Sequence, residues 1–375
     1  MRDGVSKHSQ DLISELLELN YRVFVYSPHF FRLRYVGYFD HTSKKLVKPV
    51  ESEDGLKLPE NSVVYVQYMF SAYWLSIYSL HSWIKEIARS NPVIIGLHEP
   101  SGEIRRLRSF GRSLYKDICS IARIIVVFSG EGLAVISDLT SKAEIIRADL
   151  EIPKRVWSDD IAVERPTILL FGYYAKTKGF EDGLRILRSV NRRTGVRFKT
   201  LIVCSLRERK GTARIFSPLD RVNFLKLKAL IFRCQTEMDL EFRQYLDEES
   251  VPAVFHQSHY LYLPYLDVSN SGVLVLAKQY GNPVICNDLR GFHEALGDGG
   301  IYLPKNCNNK IEVLSGIFYE ESFSGRHLQD TLNFRDYVQA HDNKSLIEIL
   351  ETIRTRSIDS EAQRIRQENI ADGKL

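Results

Sequence analysis

Apolar residues in this chain follow two spacings. Short runs rich in β-branched and aromatic residues alternate with longer stretches whose apolar positions recur every three or four residues. The short runs predict strands at residues 21–26 (YRVFVY), 63–68, 93–97, 124–128, 144–146, 167–171, 199–204, 261–263 and 284–286. The longer stretches predict helices. The first carries Leu12, Ile13, Leu16, Leu17 and Leu19 on one face, and others fall at 72–89, 103–121, 182–191 and 252–258. A helix of about ten residues precedes Gly281, and two more cover 308–320 and 344–356. Residues 220–247 suggest a further strand and an acid-bounded connection, and 299–304 a strand-end turn. Strand and helix alternate almost throughout, the pattern of an α/β protein with parallel sheets. A length of 375 residues predicts two domains, with a polar, Pro-bounded junction around 151–164.

Composition narrows the classes. Apolar content of 44% and charged content of 26% are those of a folded chain. A net charge of +4 is too mild to argue for nucleic acid. The five cysteines are scattered and never in C-x-x-C spacing, so neither a disulfide framework nor a zinc site is expected, and a reducing cytosol fits. No apolar run approaches the ~18–20 residues that span a bilayer, and no signal-peptide pattern is seen. The expectation is a cytoplasmic protein, at most peripheral to a membrane.

The candidate chemistry lies at strand ends. The run at 167–171 leads into Gly172, Tyr173, Tyr174, Ala175, Lys176, Thr177, Lys178 and Gly179. A buried strand entering a glycine turn, with Lys-Gly at a helix start, suits a phosphate, although K-x-K-G alone is a weak signal. A second stretch, 260–294, pairs a short strand with a loop carrying Asp267, then Ser269, Asn270, Ser271 and Gly272 before an apolar helix. Ser and Asn there are N-cap residues, and a helix start offers N–H donors and a positive dipole end. An ordinary capped helix explains that stretch equally well. The strand at 93–97 ends in His98, Glu99 and Pro100, where open α/β sheets place ligands. Arg105, Arg108, Arg112 and Lys116 line one side of the 103–121 helix. A solvated face is the plainer reading, and contact with an anionic membrane surface the alternative. His256 and His259 are three apart, but no acidic partner suggests a metal site.

Leu263-Pro264-Tyr265, Ser271-Gly272 and Gly281-Asn282-Pro283-Val284 resemble the donor-sugar end of the glycosyl transferases group 1 family, as Lys178-Gly179 resembles its G-R-x-x-x-x-K-G stretch. That resemblance implies a GT-B fold, two Rossmann-like doubly wound parallel-sheet domains facing a central cleft. The division expected is an acceptor-side domain at 1–158, a donor domain at 159–340, and helices at 341–375 crossing back toward the first. The resemblance further implies a retaining, metal-independent glycosyltransferase needing no cofactor besides a nucleotide-diphosphate sugar, with a glycan, lipid-linked or small-molecule acceptor. On this reading His98 is catalytic and Gly4 and Glu99 lie on the acceptor side. Gly172, Lys176, Lys178, Asp267, Asn270, Ser271 and Gly272 bind donor.

Three departures stand out. Most members carry two glutamates where this chain has Val268 and Leu276, leaving Asp267 as the only nearby carboxylate. Tyr173 occupies the place of the family's arginine, with Lys176 as its substitute. The chain starts at the family's first loop rather than at the preceding strand, so a late start site or a degenerate gene is expected. Two other readings stay open: an inactive GT-B protein binding sugar nucleotide or a partner glycosyltransferase, and an unrelated two-domain sugar-binding or isomerising protein.

Overall fold

The structure is a computed structural model describing residues 12–14, 16–19, 23–29, 32–39, 46–47, 62–68, 77–98, 100–140, 142–148, 155–157, 166–195, 198–206, 218–244, 246–247, 249–268, 271–341 and 346–352. The chain divides into two compact units: Ser6–Glu151 with Asn343–Leu375, and Ile152–Asp342.

In the amino-terminal unit, β1 (Phe24–His29), β2 (Arg32–Phe39) and β3 (Leu46–Val47) form a small antiparallel sheet. The sequence places the first of these at 21–26, as a member of a parallel sheet. Only two residues separate β1 from β2, too few for the crossover that parallel pairing requires, so a hairpin forms instead. The parallel sheet runs β4 (Val64–Tyr68), β5 (Val93–Leu97), β6 (Ile124–Val127) and β7 (Glu144–Arg147), in that order. Every residue of β5 and β6 is buried, which is why both read as unbroken apolar runs. Ile94, Ile124 and Val126 pack in one cluster with Leu346, Ile347, Ile349 and Leu350 from helical residues 346–352. The helix expected at 103–121 runs Pro100–Ile121 and is kinked at Arg108, whose φ is 53°.

The carboxyl-terminal unit holds six parallel strands in the order β10 (Leu240–Arg243), β9 (Lys199–Ser205), β8 (Thr167–Tyr173), β11 (Tyr260–Leu263), β12 (Val284–Asn287) and β13 (Gly300–Leu303). Counted from β8 this is the 3-2-1-4-5-6 order of a doubly wound dinucleotide fold, with its direction of winding reversing between β8 and β11. Apolar clusters lie on both faces of this sheet, one around Leu170, Phe180 and Ile202, the other around Phe171, Val273 and Phe292.

Besides the short helices Gly130–Ser137 and Arg290–Leu296, which the sequence reading left unassigned, two long helices depart from it. Residues 218–235 form a helix, Pro218–Gln235, with Phe224, Leu227, Ile231 and Cys234 buried at helical spacing. A long helix, Glu320–Ala340, occupies a stretch assigned no element. Its inward stripe, His327, Thr331, Phe334 and Val338, is half polar and so weak as an apolar signal.

Candidate functional site

Open α/β sheets bind ligands beyond the strand carboxyl ends, at the point where strand order reverses. Here that point is flanked by the loops following β8 and β11, the two stretches with phosphate-site chemistry in the sequence.

Near its carboxyl end strand β8 carries Gly172, whose φ of +130° favours glycine. A Cβ there would lie 3.2 Å from Lys178 Nζ and 3.4 Å from Val273 Cγ2. The lysine ammonium and the first turn of helix Gly272–Tyr280 therefore meet over the same backbone atom. Lys176–Lys178 form a single 3₁₀ turn that ends at Gly179, in the left-handed conformation with φ 63°. Gly179 presses against the other loop, and a Cβ on it would stand 2.0 Å from the Pro264 carbonyl oxygen. The Leu266 N–H donates to the Thr177 carbonyl at 2.7 Å, so the two loops are joined directly through backbone.

Tyr265, 4% exposed, organises the space between them. Lys178 Nζ sits 5.0 Å from its ring centroid, within cation–π range. Its hydroxyl lies 3.4 Å from Ser271 Oγ. Ser271 has the extended backbone of an N-cap, but its side chain makes no capping bond, in contrast to the N-cap chemistry expected of it. Gly272 is exposed at the helix start, where first-turn N–H groups lack intrahelical acceptors.

Behind the loop, Asn287 at the end of β12 donates from Nδ2 to the Tyr265 carbonyl at 2.7 Å. Its Oδ1 accepts from Lys310 Nζ at 2.7 Å, and partial burial lowers the Lys310 pKa. On the neighbouring strand β9, in register with Gly172, burial pushes the Cys204 thiol up despite the opposing charge of Lys178. Tyr174 donates to Glu181 at 2.6 Å.

The structure thus brings Gly172, Lys178, Ser271 and Gly272 together. Lys176 and Asp267 are exposed side chains on the adjoining turns. His98 belongs to the amino-terminal unit, where it is buried at the end of β5 and stacks on Phe128, 4.8 Å between centroids. Gly4, Glu99 and Asn270 lie outside the described residues. Val268 and Leu276, the positions of the family's glutamates, pack partly buried against the apolar cluster. His259 accepts the Thr167 N–H at Nδ1, a bond that ties β11 to the start of β8. Among the described residues no group of three His, Cys, Asp or Glu is arranged to hold a metal, and no helix is long and apolar enough to cross a membrane.

The 260–294 stretch of the sequence included Tyr265 and Asn287 without giving either a role, and Lys310 was missed. A tyrosine after a strand-ending proline and an asparagine closing an apolar strand are weak signals. Lys310 has none, because its partner is 23 residues away.

Solved structures share this architecture across most of the chain. A UDP-forming α,α-trehalose-phosphate synthase from Burkholderia vietnamiensis superposes with a TM-score of 0.58 at 13% identity, covering 82% of this chain and 74% of its own. A sucrose-phosphate synthase from Thermosynechococcus elongatus gives 0.56 at 15% identity, covering 81% and 74%. An E. coli structure titled trehalose-6-phosphate bound with UDP-2-fluoro glucose gives 0.57 at 11%, covering 76% and 71%. No family model matches the chain, and no curated protein matches it in sequence. The chain has a GT-B fold, with two Rossmann-like α/β units.

Proposed function

We propose that this chain is a retaining glycosyltransferase that moves a sugar from a nucleotide-diphosphate donor to a glycan, lipid or small-molecule acceptor without a metal ion. The observation carrying this reading is the convergence, at the strand-order reversal, of the Lys178 ammonium and the start of helix Gly272–Tyr280 above Gly172. Negative charge builds on the departing diphosphate as the sugar–oxygen bond breaks. A lysine and N–H dipoles already fixed in place stabilise that charge more in the transition state than in the ground state. Lys178 is assigned to the diphosphate, with Lys176 beside it. The first-turn backbone of Ser271 and Gly272, with Asn270, is assigned to phosphate and sugar. Asp267 is the carboxylate available for the sugar. His98, Glu99 and Gly4 are assigned to the acceptor side by the group 1 resemblance alone. A UDP-sugar is the first donor to try, since the trehalose-phosphate synthases of similar fold are UDP-forming.

The replacement of the paired glutamates by Val268 and Leu276 favours a second reading, in which the chain binds sugar nucleotide, or a partner glycosyltransferase, without turnover. Nucleotide release from a panel of sugar nucleotides, with and without acceptors, separates the two, since binding without release supports the second. In the enzyme, Lys178→Ala should lower turnover about 10- to 100-fold, the loss of one charge-assisted bond. Turnover at the parental rate would remove Lys178 from the mechanism, and loss of activity on chelation would overturn metal independence.

A further inference from the structure

Helix Pro218–Gln235 has two apolar faces, of which the inward stripe is described above. The outward stripe is Val222, Leu225, Ala229 and Phe232, with Val222 50%, Leu225 63% and Phe232 73% exposed. At the α-helical repeat these four positions span roughly 80° of the circumference. Arg233 and Lys226 fall just beyond one border of that arc, and Arg221 and Lys228 just beyond the other. Between Arg221 and Thr236 the sequence has no acidic residue. Lys228 is steered by a 2.6 Å bond to Gln244, while Arg221, Lys226 and Arg233 are exposed.

We infer that this face docks the protein on an anionic lipid bilayer, lying in the interfacial plane with Phe232 and Leu225 inserted. An apolar strip bordered on both sides by cations matches a surface with apolar acyl chains beneath negative headgroups. A second copy of the chain fits less well, because a two-fold contact would set this cationic border against its like. The helix at Pro100–Ile121, which carries the arginine row seen in the sequence, exposes one large apolar side chain, Phe110, and so offers less to insert. This inference is independent of whether the chain transfers sugar.

The test is cosedimentation of the full chain with phosphatidylglycerol-containing and pure phosphatidylcholine vesicles. Binding should require phosphatidylglycerol and weaken with added salt. Phe232→Ser and Leu225→Ser should each weaken it about tenfold. Lys226→Gln with Arg233→Gln should weaken it about 25-fold, from ~1 kcal/mol per cation. Phe110→Ser should leave it unchanged, and unaltered melting of each variant should confirm folding. Equal binding to both vesicles, or unaffected Phe232 and Leu225 variants, would overturn the inference. So would self-association that Phe232→Ser abolishes in a chain that binds no vesicle.

Discussion

Replacing Gly179 by alanine tests whether the two site loops hold each other in place, because Gly195 supplies an internal control. Both glycines are left-handed, with φ of 63° and 67°. A Cβ at Gly195 would meet no atom within 4 Å, whereas one at Gly179 would lie 2.0 Å from the Pro264 oxygen and 3.0 Å from its carbon. The left-handed conformation costs an L-residue about 1–2 kcal/mol, partly offset by ~0.4–1 kcal/mol from a less disordered unfolded chain. Gly195→Ala should therefore destabilise by about 1 kcal/mol. At Gly179 that cost is joined by a clash with backbone. Pro264 cannot simply retreat, since a Cβ on Gly183 would already be 2.6 Å from its ring. Relief means opening the Leu266–Thr177 bond, worth ~1 kcal/mol, and straining packed neighbours by ~1–3 kcal/mol. Gly179→Ala should thus cost about 3–5 kcal/mol in all. Hydrogen exchange of peptides covering β8 and β11, read by mass spectrometry under increasing urea, measures this locally. If the two alanines agreed within about 0.5 kcal/mol, the proposed interlock between the loops would be wrong.

Other outcomes are equally specific. Burial, with His259 and Arg335 nearby, lowers the pKa of His327 to about 3, while an unfolded histidine titrates near 6.5. The unfolded chain therefore binds this proton first, and stability present at neutral pH is lost as pH falls from about 6.5 toward 3, by roughly 2 kcal/mol at pH 5. His327→Gln should flatten that part of the stability profile. Asn282 donates to the Phe255 and Ser258 carbonyls at 2.9 and 2.6 Å. Asn282→Ala should cost ~2–3 kcal/mol in denaturant titrations with donor affinity per folded molecule unchanged. Tyr265→Phe keeps the ring under Lys178 and should change donor affinity less than about threefold, while Tyr265→Ala should weaken it at least tenfold by calorimetry.

The order of strands and helices was legible wherever a strand was almost wholly buried and bounded by glycine or proline, as at β8 and β12. The helix Pro218–Gln235 misleads because Leu225, Lys226, Leu227 and Lys228 alternate like a strand, the result of two apolar stripes on one helix. Helix Glu320–Ala340 was missed because His327 and Thr331 occupy inward positions that usually carry aliphatic side chains. At the site, Gly172, Lys178, Ser271 and Gly272 were readable from turn and helix-start chemistry, which is local. The cation–π seat on Tyr265 and the Lys310–Asn287 buttress are made by contacts across the sheet, so no local pattern encodes them.

The fit of Gly179 against Pro264 bears on how this fold can be recombined. A chimera with its crossover between β8 and β11 inherits one turn from each parent, and a donor of the first turn with any side chain at that glycine would collide with the carbonyl supplied by the other. Swaps that exchange residues 166–268 as one block keep the pair matched, so breakpoints outside that block should yield folded hybrids far more often than breakpoints within it.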